Sequence, residues 1–246
     1  MSNSLPLYQF MEAAHDCAEA ARESNALALS RCAELDSFIA RATSDRLNSP
    51  VPSVLRLSAR GMFCAAVNVA LTGYHAAIFP LLRASLEAVC YAQEIAINPE
   101  LRDVWVLRDR SEQDRKKCRG AFTGAVGNTC KRFSEFLPDN AGMVLKAYNL
   151  MIDSGAHPNP RSIFPSLRVR ETDAHHEVAI GFVVPSQVEF ALFRCYEFGL
   201  ITSWLIGEFN LNDQEFWEEA TLLNAIKNDW EGELWGPQMP VKVGSS

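Results

Sequence analysis

The chain has 246 residues, which suits one large domain or two small ones, and its 48% hydrophobic and 22% charged residues suit a globular protein with a sizeable core. Its formal net charge of −7 disfavours nucleic-acid binding over the whole surface, so that such binding would need a local basic patch. Seven cysteines without a Cys-x-x-Cys pair argue against a disulfide framework. We therefore expect buried thiols in a cytoplasmic protein without a signal peptide.

The first part of the chain is predicted to be helical. Residues 5–45 are rich in alanine, leucine and glutamate, and apolar residues recur at steps of three and four, which predicts one long helix or a helical hairpin. A proline-rich break follows at residues 49–52. This N-terminal part is expected to pack on helices that occupy much of residues 53–209.

Residues 61–82 carry no formal charge and are long enough to span a bilayer. They contain Asn68 and His75, however, and Arg83 follows directly. Polar groups are costly in lipid, so we expect no membrane insertion but two buried helices that meet near Gly73. Pro80 lies inside the second of these helices and should kink it or delay its start.

The chain then restarts as a helix after Asn98, which can cap, and Pro99, which suits a first helical position. Further on, Leu167 to Arg170 alternates apolar and polar residues and predicts a strand, with a return strand reaching Val183. The result is a small β-hairpin over residues 166–184, before the penultimate helix. It should lie on the helices, because two strands alone are marginal.

A last helix over residues 212–230 and a loose tail over 237–246 complete the prediction. The expected fold is a single all-α domain over residues 1–236, a multi-helix bundle with one small β-hairpin.

The most informative feature is a charged pair, Arg83 and Glu87, in the run LLRASLEAVC at residues 81–90, which is otherwise apolar or small. Such a helix should be central in its domain. A lone buried charge is costly, so the two charges must face each other, a partner or a wet cleft. They are therefore candidate catalytic residues, or else a structural ion pair that fixes helix register.

A third candidate catalytic residue is His157, in a loop stiffened by two prolines, because an imidazole near neutral pKa can act as acid or base. Its alternative role is to cap a helix end. His75 and Tyr91 are candidate binding residues, since every fourth residue from 75 to 91 drifts only slowly around a helix. His75 could equally be a core histidine. Tyr148 is a binding candidate on the helix before the His157 loop.

Basic residues cluster between positions 108 and 119, interleaved with acidic ones, and predict a solvated helix face with phosphate contact as the alternative. They are Arg108, Arg110, Arg115, Lys116, Lys117 and Arg119. The chain has no glycine-rich phosphate loop, zinc-ligand spacing or Gly-x-Ser-x-Gly motif. We therefore expect no cofactor and no metal.

Three short motifs carry a resemblance to a known group: FPLLRASLEA at residues 79–88, NPE at 98–100 and SGAHP at 154–158. They resemble uncharacterised bacterial all-helical proteins and, through these, HEPN proteins, which are helical RNA-associated domains of toxin and phage-defence systems. The resemblance implies RNA binding or metal-independent RNA cleavage. In such a ribonuclease, Arg83 would hold a phosphate and His157 would shuttle the 2′-hydroxyl proton.

HEPN ribonucleases also carry an arginine and a histidine a few residues apart. Arg170 and His175 have such a spacing, but they fall in the predicted hairpin rather than at a helix start, so the catalytic role is not carried onto them.

A hypothesis from another class is a non-enzymatic helical module that binds a second protein or forms a homo-oligomer. It rests on the lack of a strong catalytic motif and on aromatic residues in the C-terminal half, which often mark interfaces. These are Phe190, Phe193, Trp204, Phe216 and Trp217.

Overall fold

A computed structural model describes residues 6–44, 50–156, 163, 167–171, 176–210 and 212–236. Its α-helices are α1 (Pro6–Ser24), α2 (Ala26–Ser44), α3 (Pro50–Leu71), α4 (Ile78–Ile97), α5 (Leu101–Val106), α6 (Glu112–Phe122), α7 (Ala125–Phe133), α8 (Pro138–Met151), α9 (Val188–Gly207) and α10 (Gln214–Trp235). Short 3₁₀ turns lie at His75–Ala77, Pro185–Gln187 and Glu208–Asn210, and a π-helical turn at Ile152–Ala156. The predicted tail, 237–246, lies outside the described residues.

The N-terminal segment is one bent helix rather than a hairpin. Only Asn25 separates α1 from α2, and helical hydrogen bonds continue across it. Its amide donates to the Ala21 carbonyl and its carbonyl accepts from the Leu29 amide, both at 2.9 Å. The bend turns α2 into the core, where Leu35 and Ile39 are buried.

Two helices meet at Gly73, as the sequence predicts. Gly73 has a φ of 76°, which a residue with a Cβ adopts only with strain. The 3₁₀ turn follows, and α4 begins at Ile78, so that Pro80 is its third residue. The delayed start is confirmed, because proline is tolerated in the first turn of a helix. α3 and α4 pack along their lengths, and the Ser85 hydroxyl donates to the Ala59 carbonyl at 2.8 Å.

One helix in the described ranges, α3, is long and apolar enough to cross a membrane, judged by length and composition alone. The core helix of a soluble protein passes the same test. Of its most apolar window, 39% is buried, so part of α3 faces outward. Val54 and Leu57 are more than half exposed on it.

The predicted bundle with an inserted β-hairpin is corrected to an all-α, multi-helix fold. Among the described residues between α8 and α9, strand pairing is confined to two five-residue segments, β1 (Leu167–Glu171) and β2 (His176–Ile180), which run antiparallel. They contact chiefly each other and add no layer to the helices. The return strand also stops short of residue 183, and the Val184 amide instead donates to the Gly73 carbonyl at 3.0 Å.

The centre of the molecule is α9, in which 16 of 20 residues are buried. It packs against α2, α3, α4, α8 and α10. A helix that is apolar on every face is stable only when other helices surround it. The last helix, α10, closes the core with Trp230, whose ring lies 5.8 Å from that of Tyr196 on α9.

Candidate functional site

Arg83, Glu87 and Tyr148 form one cluster, which we call the α4 cluster. Arg83 Nε donates to Glu87 Oε1 at 2.8 Å, and the Tyr148 hydroxyl donates to the same oxygen at 2.8 Å. The Arg83 guanidinium carbon lies 5.5 Å from the centroid of the Tyr148 ring. The two charges of α4 therefore face each other, and a tyrosine of α8 completes the arrangement.

The α4 cluster lies at the surface of the bundle rather than inside it. The Arg83 side chain is 30% exposed and that of Glu87 is 26% exposed. A pair of this kind contributes little to stability, about 0.2–1 kcal/mol. Nη1 of Arg83 forms no hydrogen bond to any described residue, so this edge of the guanidinium can take an anion while Nε holds Glu87.

Two tyrosines border the cluster. Burial raises the pKa of Tyr148, and the hydrogen bond to Glu87 raises it further, so its hydroxyl stays protonated and remains a donor. Tyr91 lies one turn beyond Glu87 and stacks on Phe122 of α6, with ring centroids 4.5 Å apart. Burial chiefly raises the pKa of Tyr91, with Glu87 adding to the effect and Arg108 opposing it. Tyr91 thus connects the region of Glu87 on α4 to α6.

His75 does not join this cluster. His75 is buried, at 4% exposure, and neither ring nitrogen has a hydrogen-bond partner among the described residues. Burial lowers its pKa, which suits a neutral core histidine. His157 lies outside the described residues. The π-helical turn that ends at Ala156 packs against the start of α4, where a Cβ on Gly155 would lie 2.8 Å from the Phe79 Cβ.

Residues 101–122, which contain α5 and α6, form what we call the basic helix pair. They carry seven lysines and arginines against four acidic residues, a net charge of +3 in a chain of net charge −7. All seven cationic residues are exposed. Four of them pair with acidic neighbours, as in the contact of 3.2 Å between Arg115 and Asp109. Arg110, Lys116 and Lys117 form no ion pair with a described residue.

Sequence reasoning missed a second, deeper polar group, the Glu94 network. Arg132 Nη1 lies 2.8 Å from Glu94 Oε1, and its Nε lies 3.4 Å from Glu208 Oε1. The neighbouring Gln93 donates to the Leu205 carbonyl at 2.6 Å. The network thus joins α4, α7 and the end of α9.

The Glu94 network is more buried than the α4 cluster. The Glu94 side chain is 7% exposed and that of Glu208 is 12% exposed. Burial raises the pKa of Glu208, while Arg132 opposes that shift. Two carboxylates that share one arginine in the interior are typical of a structural tie between helices. The sequence feature that could have indicated this network was Glu94 itself, a second acidic residue two helical turns after Glu87 on the largely apolar α4.

No group of three or more histidine, cysteine, aspartate or glutamate side chains in the described ranges is arranged to hold a metal ion. No family model, curated protein or solved structure matches the chain. Of the features that the HEPN resemblance implies, the all-helical character is the one the structure supports.

Proposed function

We propose that this is a cytoplasmic RNA-binding protein of HEPN-like character, which holds single-stranded RNA along the basic helix pair and the adjoining α4 cluster. The observation that carries the proposal is the local charge of +3 in an acidic chain, together with an arginine whose Nη1 forms no hydrogen bond to a described residue. Such a local reversal of charge is the electrostatic footprint of a phosphate-binding surface.

The cations without ion pairs support phosphate contact. Arg110, Lys116 and Lys117 are exposed, so a phosphate can approach them without first displacing a carboxylate of a described residue. Each phosphate neutralised by such a side chain releases counterions, which makes binding stronger at low salt. The acidic remainder of the chain would repel RNA elsewhere and confine it to this region.

The tyrosines support a single strand rather than a duplex. Tyr91 and Tyr148 are half-buried; Tyr148 donates to Glu87, and Tyr91 is close enough to Glu87 for that carboxylate to raise its pKa. Single-stranded RNA is held by stacking of unpaired bases on aromatic rings or arginine planes, together with a cationic groove. The α4 cluster offers both kinds of group close together, since the Arg83 guanidinium carbon lies 5.5 Å from the Tyr148 ring centroid.

The catalytic form of this proposal is metal-independent cleavage. Arg83 would bind the scissile phosphate through its free edge, and Glu87 would hold the guanidinium in place. His157 would move the 2′-hydroxyl proton as a general base. The test incubates a labelled RNA in EDTA with the wild-type protein and, separately, with the His157→Ala and Arg83→Ala variants. If the RNA stays intact with the wild-type protein, cleavage is refuted and only the binding proposal remains.

The binding proposal is tested by fluorescence anisotropy with a labelled single-stranded RNA over a series of salt concentrations. Lys116→Glu/Lys117→Glu should weaken binding about tenfold or more and flatten the log–log salt slope by about 1.4, since each phosphate contact on a single strand contributes about 0.7. The matched control is Arg22→Glu/Arg41→Glu, which makes the same change in charge at exposed sites on α1 and α2, outside the basic helix pair. Equal losses in both variants, or no binding by the wild type, would refute the proposal.

One observation favours the alternative, a non-enzymatic module that binds a second protein or itself. The aromatic residues that suggested it are mainly core residues, since Phe193, Trp204 and Phe216 are at most 6% exposed. Exposed apolar side chains occur on several helices, and α3 presents two of them one turn apart, Val54 and Leu57, each more than half exposed. Light scattering after size exclusion tests self-association through this exposed face of α3. If the face mediates it, the wild-type protein is an oligomer and Leu57→Glu is a monomer. A monomeric wild-type protein excludes self-association.

A further inference from the structure

A cavity of about 200 Å³ lies between α8, α9 and α10, and no step of the proposed RNA binding uses it. Its wall is mainly apolar. α8 contributes Ala147 and Leu150, and α9 contributes Phe198, Ile201 and Trp204. Small-molecule sites in helical bundles are usually apolar spaces between helices with a few polar groups at the edge, and this cavity has that form.

The polar groups at this cavity make it selective for charge. Lys146 on α8 and Lys227 on α10 both line it, as does Glu197 on α9. Glu197 is already held by Arg194 at 2.5 Å, and Lys227 lies 2.6 Å from Glu231. Lys146 is exposed and forms no ion pair with a described residue. The charge left without a partner at the cavity is therefore positive.

We infer that this cavity binds a small amphipathic carboxylate, with its hydrocarbon chain between α8 and α9 and its carboxylate at Lys146. Asn224 on α10 also lines the cavity, and its amide can donate a second hydrogen bond to the carboxylate. An uncharged chain would fill the same space without the ion pair. A cationic amphiphile would meet the positive charge of Lys146 and be disfavoured.

The probe is sodium octanoate, added to the full-length protein and followed by isothermal titration and by tryptophan fluorescence. Trp204 lies in the cavity wall, so the fluorescence change should be lost in Trp204→Phe, whereas the heat signal should persist. Octanol should bind several-fold more weakly than octanoate, and octylamine more weakly still.

Two variants separate the cavity from its charge. Lys146→Glu should weaken octanoate binding by about fivefold or more and leave octanol binding unchanged, because an exposed charge contact contributes at most a modest amount. Lys131→Glu, a matched change on the exposed part of α7, should alter neither. Ala147→Phe should fill the cavity and abolish binding of both octanoate and octanol. If Ala147→Phe fails to fold, the exposed Lys146→Glu variant still tests the charge contact.

Three results would overturn the inference. They are no octanoate binding by the wild-type protein at millimolar concentration, equal binding of octanoate and octylamine, and unchanged octanoate binding by a folded Ala147→Phe protein. None of them bears on RNA binding, since Lys116 and Lys117 lie on a different helix, α6.

Discussion

At the scale of single residues, burial sets the chemistry of His75. Burial lowers its pKa in the folded protein, whereas the unfolded chain has the ordinary value of about 6.5. The unfolded state therefore binds the proton more readily, and the contribution of neutral His75 to stability is present above about pH 6.5 and lost as pH falls toward the folded pKa.

His75→Leu should accordingly reduce the loss of stability between pH 7.5 and pH 5, measured by urea unfolding at each pH. The variant should be no less stable than wild type at pH 5, because it removes two ring nitrogens that lack partners among the described residues. An identical pH profile for His75→Leu and wild type would contradict this account.

Cys64 is the exposed member of the seven free cysteines, yet it should react slowly. Burial of its sulfur and a hydrogen bond of 3.2 Å to Asp36 raise its pKa to about 11. Only the thiolate is nucleophilic, so alkylation by iodoacetamide at pH 8 should be about 100-fold slower than for an unperturbed cysteine, and should accelerate up to about pH 11. Mass spectrometry of the labelled protein measures the rate, and rapid labelling at pH 8 would show that the thiol is not held in this way.

Spacing along one helix allowed Arg83 and Glu87 to meet, because residues four apart share a helix face, but it left a partner or a wet cleft as alternatives. It was not enough for the Glu94 network. Arg132 lies 38 positions from Glu94 and 76 from Glu208, and only the packing of helices brings them together. Tyr148 was a candidate from its position near the His157 loop, but its bond to Glu87 also depends on tertiary packing.

At the scale of elements, the predictions of helix boundaries were most accurate where they rested on the backbone torsion angles of single residues. The turn at Gly73 and the delayed start at Pro80 follow from the torsion angles of glycine and proline. Alternating residues at 167–170 indicated a strand, and local pairing is present there. The pattern could not show that this pairing adds no layer to the fold, because that depends on what the helices leave uncovered.

Two glycines in helices should respond oppositely to substitution by alanine. A Cβ at Gly199 in α9 would lie 2.5 Å from the Phe63 ring of α3, so Gly199→Ala should destabilise the protein by about 1–3 kcal/mol. A Cβ at Gly61 in α3 meets nothing within 4 Å, so Gly61→Ala should stabilise it by about 0.5–1 kcal/mol. Denaturant unfolding measures both, and a stabilised Gly199→Ala would mean that α9 does not pack this closely on α3.

At the scale of the whole molecule, the two arginine sites should contribute to stability very differently. Arg132→Leu leaves Glu94 and Glu208 largely buried without their cation and should cost about 3–5 kcal/mol. Arg83→Leu breaks a more exposed pair and should cost about 1 kcal/mol or less. Denaturant unfolding of the two variants under the same conditions gives the two losses in free energy of unfolding. Equal losses would mean that the α4 cluster stabilises the fold as much as the Glu94 network does.

The burial of α9 also has a consequence for synthesis of the chain. The ribosome releases α2, α3 and α4 well before residues 188–207, and these early helices pack their apolar faces against α9 in the finished protein. Until that late segment emerges, their faces have nothing of this chain to cover them, so the nascent polypeptide should be a strong client for chaperones that shield hydrophobic surface. A ribosome stalled before residue 188 should hold a protease-sensitive chain, and one stalled after α10 has left the exit tunnel should hold a resistant one.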